Sequence, residues 1–145
     1  MAKDTDQDRF VYRYLASLLS LASNHVSADF HDEVRKAGLT VTEWRVLSSL
    51  MEGGAEPVGK LARLAITKQP TLSKVLPRLA CQGLITLGTP RTDRRRTLVR
   101  ITPKGSRLVG GLCDSAMVHQ RRVLAKLGPD HADRLVSLLR VIIAG

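Results

Sequence analysis

From Phe10 to Val34 the apolar side chains recur three and four residues apart, at Val11, Tyr14, Leu15, Leu18, Ala22, Val26, Phe30 and Val34. That period lines one face of a helix. It predicts a helix of roughly 25–28 residues, long for a globular chain. Asp6 or Asp8 favours its start, and Gly38 ends it as a left-handed cap. Leu19 and Leu21 widen the apolar stripe beyond what one small core uses, as when part of a helix packs on a partner chain. The next helix follows Thr40 or Thr42 as cap, buries Trp44, Val46, Leu47 and Leu50, and stops at Gly53-Gly54. A short amphipathic helix over 58–66 turns Leu61, Leu64 and Ala65 inward. Another over 67–82 is capped by Thr67, carries Pro70 in its first turn and buries Leu72, Val75, Leu76 and Leu79. Gly83 closes it.

The period then changes. LITLG and TLVRIT alternate apolar and polar residues and are rich in Thr, Val and Ile, so they read as two strands. TPRTDRRR joins them. Thr102 and Pro103 open a helix through Leu108, Val109, Leu112, Ala116, Val123 and Leu127, with Gly110-Gly111 inside it. Gly128-Pro129 ends that helix. Asp130 caps a last one, with Leu135, Leu138, Leu139, Ile142 and Ile143 inside. The fold class is therefore mostly α with a small β-hairpin wing. A winged helix-turn-helix lobe over 40–103 joins a helical region built from 8–37 and 104–145, in one domain spanning 1–145.

Charge sharpens this picture. The 145 residues carry a formal net charge of +10. Residues 56–105 hold eleven Lys/Arg against two Asp/Glu, whereas 1–40 hold five against six. An evenly solvated surface would not segregate its charge so. The middle of the chain suits a polyanionic partner. Aromatic residues make up 3%, too few for the stacking platforms of RNA readers. No apolar run approaches a membrane span, and the acidic start MAKDTDQDRF does not read as a signal peptide. Cys81 and Cys113 form no CxxC pair, so a reducing, cytoplasmic setting is expected, with both cysteines as buried small apolar residues.

Two short helices before a hairpin make a winged helix-turn-helix, and the second helix suits the DNA major groove. Its candidate contacts are Gln69, Pro70, Thr71, Ser73, Lys74 and Arg78, on the face opposite the leucines, with Lys68 beside them. The loop offers Arg91, Arg94, Arg95 and Arg96 to phosphates or to the electronegative minor groove. Asp93, two residues before Arg95, is placed to accept from a guanidinium or loop amides and shape the tip. Pro77 removes a backbone bond to Ser73 inside that helix and predicts a local bend without loss of the helix. There is no GxSxG, P-loop, dinucleotide fingerprint or HExxH, and no enzyme, metal or cofactor is expected. His25, His31, His119 and His131 share no helical face by spacing, although His119 is free to meet the first helix in space. The alternative to a DNA regulator is a basic helical module that binds nucleic acid or protein without ligand control.

Asp93-Arg94-Arg95-Arg96, followed by Leu98-Val99-Arg100-Ile101-Thr102 and Pro103-Lys104-Gly105, resembles the wing pattern of the MarR family of bacterial transcription regulators. Gln69-Pro70-Thr71-Leu72-Ser73-Lys74 resembles the start of that family's recognition helix, and Gly83-Leu84-Ile85 its end. The resemblance covers nearly the whole chain; Pro77 departs from the usual pattern. It implies a homodimer joined through its first and last helices, bound to a pseudo-palindromic double-stranded operator. It implies that Arg95 enters the minor groove with Asp93 as its brace. It also implies repression relieved by a small aromatic or phenolic acid, in a cleft drawing on Leu21, Asn24, His25, Val41 and Trp44. The family's oxidant-sensing cysteine, near the start of the first helix, has no counterpart here.

Overall fold

Helix α1 spans Leu15–Lys36. The computed structural model describes residues 6–145; residues 1–5, which open both the acidic stretch and the single domain read above, lie outside the described residues. Before α1 come two 3₁₀ turns, Asp6–Asp8 and Phe10–Tyr12, so the long first helix starts five residues later than its apolar period. Tyr14 at its N-cap makes no side-chain cap. A chain entering without a cap leaves its first amides unpaired, and the tight turns take the place of a helical turn. At the other end Gly38, with φ +83°, lets its own amide reach Arg35 and that of Leu39 reach Val34. This is the left-handed cap expected there.

The remaining elements follow in chain order: α2 (Val41–Leu50), β1 (Glu56–Pro57), α3 (Val58–Leu64), α4 (Gln69–Cys81), β2 (Ile85–Gly88), β3 (Leu98–Ile101), α5 (Pro103–Ala125) and α6 (Pro129–Ala144). Thr40 caps α2, its hydroxyl accepting from the Glu43 amide at 3.1 Å. The sheet has order β1-β3-β2, all antiparallel, with Ile85 opposite Ile101 and Gly88 opposite Leu98. β1 is a strand that periodicity does not reveal, because two residues carry no period. Its Pro57 sits on the sheet edge, where a missing N–H costs no ladder bond.

The core lies where α2, α3, α4, β3 and α5 converge. Leu47, Leu50, Leu61, Leu72, Leu79, Val46, Val99 and Val109 are fully buried there, with Val34 from α1. Leu64, expected inward, is half exposed because α3 ends at that residue and turns away. Val75 is only partly covered. Thr67 does not cap α4: its amide bonds back to Ala62, and Lys68 occupies the N-cap without a side-chain bond. Asp130 does not cap α6 either; Gly128 holds that position, with Pro129 first in the helix. Cys81 is exposed in the last turn of α4, on its outer side, so the reading of it as a buried apolar residue fails; Cys113 is partly buried and packs against the core.

One junction positions the wing. The Thr102 hydroxyl caps α5 through the Gly105 amide at 3.1 Å and donates to the Gly83 carbonyl at 2.6 Å. The Thr102 amide donates to the Leu84 carbonyl, and Lys104 Nζ to the Gln82 carbonyl. A Cβ on buried Gly105 would lie 2.2 Å from the Leu84 oxygen, so only glycine fits. The end of α4, both hairpin strands and the start of α5 are thereby fastened together.

Among the described residues, two apolar faces are exposed. Phe10, Val11, Tyr14, Leu15, Leu18 and Leu21 are exposed at the amino-terminal end. No residue of α6 is buried, against the expectation that its leucines and isoleucines lie inside: Ile143 is 84% exposed and Leu138 52%. No helix among the described residues is long and apolar enough to cross a membrane.

Candidate nucleic-acid interface

Helix α4 presents its leucines inward, and Gln69, Pro70, Thr71, Ser73 and Lys74 are all exposed on the other side. The helix runs unbroken through Pro77. The tolerance has a simple source: Leu76 and Leu79 are buried on both sides of the proline and hold the turn in place.

The hairpin loop between β2 and β3 carries Arg91, Arg94, Arg95 and Arg96, each exposed. Asp93 organises it. Its Oδ1 accepts from the Arg95 amide at 3.0 Å, and its carbonyl accepts from the Arg96 amide at 3.3 Å. The Asp93 amide donates in turn to the Pro90 carbonyl. These bonds fold the tip into consecutive turns, and among the described residues the four guanidiniums have no carboxylate partner, which leaves them to an external anion. Of the two roles open to the Asp93 carboxylate, the structure selects the loop amide.

The fold adds two cations that the residue pattern did not single out. Lys60 and Arg63 of α3 line a cleft of about 500 Å³ with Gln69, Arg95, Arg96 and Thr97. The cleft brings the wing, the supporting helix and the start of α4 to one wall. Lys60 also pairs with Glu56 at 2.9 Å, which orients it along β1. The signal for both was present in the charge segregation of residues 56–105, but a count gives no direction; pairing of β1 with β3 brings α3 beside the wing.

Arg78 differs from its neighbours. Its guanidinium pairs with the carboxylate of Glu43, which is buried on α2 with 4% of its side chain exposed. The sequence pattern places Arg78 among the outward contacts of this helix and gives no sign of a partner on α2. The pairing spans 35 residues, and no local rule links the two.

The five residues of the expected effector cleft are not gathered into one cavity. Leu21 lines a cavity of about 490 Å³ with Arg9, Val11, Tyr12 and Tyr14 at the amino-terminal end. Asn24 and His25 are exposed on α1. Val41 and Trp44 are half-buried on α2, and Trp44 meets Phe30 edge-on at 5.2 Å between ring centroids. His119 does reach α1, its Nε2 lying 2.6 Å from the Val26 carbonyl oxygen and its ring 6.0 Å from Phe30.

Comparison with known proteins agrees with this architecture. A sequence profile of the MarR family matches residues 39–97, from the start of α2 to the wing. The HTH-type transcriptional regulator FarR of Neisseria gonorrhoeae is 30% identical over 87 residues, which span 60% of this chain and 60% of FarR. A crystal structure of a MarR family transcriptional regulator from Silicibacter pomeroyi is 36% identical, covers 94% of this chain and 98% of its own, and superposes with a TM-score of 0.82. The transcriptional repressor CouR, bound to a 23-mer DNA duplex, is 26% identical over 90% of this chain and 93% of its own, with a TM-score of 0.75. BpsR of Bordetella bronchiseptica, whose DNA binding is regulated by 6-hydroxynicotinic acid, is 26% identical over 94% of this chain and 97% of its own, with a TM-score of 0.79. With the hairpin wing, the two-helix motif and the stitched α4–β2–α5 junction all in place, and a relative this similar along nearly its whole length, the chain belongs to the MarR family.

Proposed function

We propose that the chain is a sequence-specific, double-stranded-DNA-binding transcription regulator that acts in the cytoplasm as a homodimeric repressor. The observation that carries this reading is the Asp93-braced wing beside the exposed polar face of α4. A helix of this kind fits a major groove, and an arginine at a hairpin tip fits the adjacent minor groove. Gln69, Thr71 and Ser73 are suited to base edges. Lys74, Arg91, Arg94 and Arg96, with Lys60 and Arg63, are suited to phosphates. Arg95, whose own amide is held by Asp93, is the minor-groove arginine. CouR, bound to a 23-mer DNA duplex, supports duplex DNA as the partner.

The dimer joins the uncovered face of 8–37 to that of 104–145. Isolated apolar faces of this size signal a partner surface, and a two-fold dimer reads a pseudo-palindrome. A small aromatic acid is the release signal, by analogy with BpsR and 6-hydroxynicotinic acid. Its cleft draws on Leu21, Asn24, His25, Val41 and Trp44, completed by the second chain.

Footprinting on DNA upstream of the chain's own coding region tests this. The expected result is two inverted half-sites protected about one helical turn (roughly 10 base pairs) apart. Arg95→Ala should weaken binding most of the four wing arginines. Uniform, sequence-independent protection, with equal losses at all four, would reduce the wing to a general charge effect.

A further inference from the structure

The Glu43–Arg78 pair connects a buried point on α2 to the outer side of α4. Glu43 is rigidly based: its amide is held by the Thr40 cap, and Val46, Leu47 and Leu50 bury the rest of α2 in the core. Burial of a carboxylate is unfavourable without a partner, and among the described residues its side chain meets one cation, Arg78. Arg78 directly follows Pro77, and Pro77 has no N–H to give the Ser73 carbonyl, so α4 lacks one backbone bond across this turn. A weak point and a tether therefore coincide.

We propose that Glu43 is a positioning residue for DNA binding: it grips Arg78 and holds the carboxyl-terminal half of the recognition helix at the turn that Pro77 weakens. Arg78 then serves as the handle of the helix and not as a phosphate contact. The inference rests on the DNA-binding reading and assigns a role to a residue that touches no DNA. A helix loosened by one turn misplaces Thr71 and Ser73 against base edges, while the number of phosphates neutralised stays the same. Specific affinity should fall and the salt dependence should not change.

The experiment measures duplex affinity against salt for the full chain, on its own operator and on unrelated duplex. Glu43→Gln keeps the size of the side chain and removes its charge. It should lower operator affinity by about tenfold, within the range of coupled neighbours, and leave both unrelated-duplex affinity and the salt slope unchanged. Arg78→Gln should do the same, and the double variant should be no worse than either single one. Pro77→Ala, which restores the N–H, should return most of the lost affinity to Glu43→Gln; a general loss of folding would not be rescued in this way. A drop of about 0.9 in salt slope with Arg78→Gln would instead mark Arg78 as a phosphate contact. That result would overturn the proposal, as would higher affinity in Glu43→Gln or failure of Pro77→Ala to rescue it. If the wild-type chain binds no duplex specifically, the DNA-binding reading itself has failed; a specific wild type with an unaltered Glu43→Gln variant sinks only the role of Glu43.

Discussion

Substituting alanine at two glycines of α5 should move stability in opposite directions. At Gly105 the added methyl would sit 2.2 Å from the Leu84 oxygen and 2.9 Å from Ile101 Cγ1, where real contacts stay above 3.0 Å. The helix start and the α4–β2 junction must then separate by about 0.8 Å. The nearest atom, the Leu84 oxygen, is backbone, so no flexible side chain absorbs that shift. Overpacking of this kind costs roughly 1–3 kcal/mol. Stretching the Thr102–Leu84 bond adds about 1 kcal/mol. Alanine's helix preference returns up to about 1 kcal/mol. The net is a loss of about 1–3 kcal/mol, or roughly 3–10 °C in melting temperature for a chain of this size. At Gly111 the same methyl meets nothing within 4 Å. There the helix preference acts alone, and stability should rise by roughly 0.5–1 kcal/mol. Urea titrations with unchanged slopes read both values. A Gly105→Ala variant as stable as the wild type would refute the close approach that fixes the wing to α5.

Three further outcomes follow from single observations. Asp93→Ala removes the acceptor of the Arg95 amide, so it should weaken operator binding severalfold while hardly changing stability, since the loop is exposed; binding and melting curves on the same variant check this. Ile66 is 76% exposed with φ +53°, a conformation that disfavours β-branched side chains, so Ile66→Asn should raise stability by roughly 0.5–1 kcal/mol in urea. His31 has its pKa lowered, first by burial, then by Arg45 and Arg35, with Asp32 opposing. The unfolded chain therefore binds the proton more readily near pH 6.5, and stability present above that pH should decline as pH falls toward the folded value. His31→Gln should flatten this part of the profile, as urea midpoints between pH 5 and 8 would reveal.

Much of the architecture was legible in the order of residues. Period 3.6 marked the helices, period 2 marked the hairpin, and Gly38, Thr40 and Thr102 fixed three boundaries by local chemistry. The wing brace was legible too, because Asp93 and Arg95 are neighbours and an aspartate closing a turn two residues on is a local event. Failures share a physical cause. Thr67 and Asp130 are good capping residues that tertiary packing placed one or two positions away from a cap. β1 was too short to show a period. The apolar face of α6 is exposed and not interior; periodicity gives a face and not the neighbour that covers it. Glu43 and Arg78 lie far apart in sequence and meet only through the fold.

The central claim is that the braced wing and α4 recognise duplex DNA by sequence. Its most direct test is equilibrium binding of the full chain to duplex DNA from its own upstream region, to scrambled duplex and to single-stranded RNA, across salt. The account predicts preference for the upstream duplex over the scrambled one by about 10³-fold or more, with affinity falling steeply as salt rises. Equal affinity for all three, or tighter binding to RNA, would contradict it.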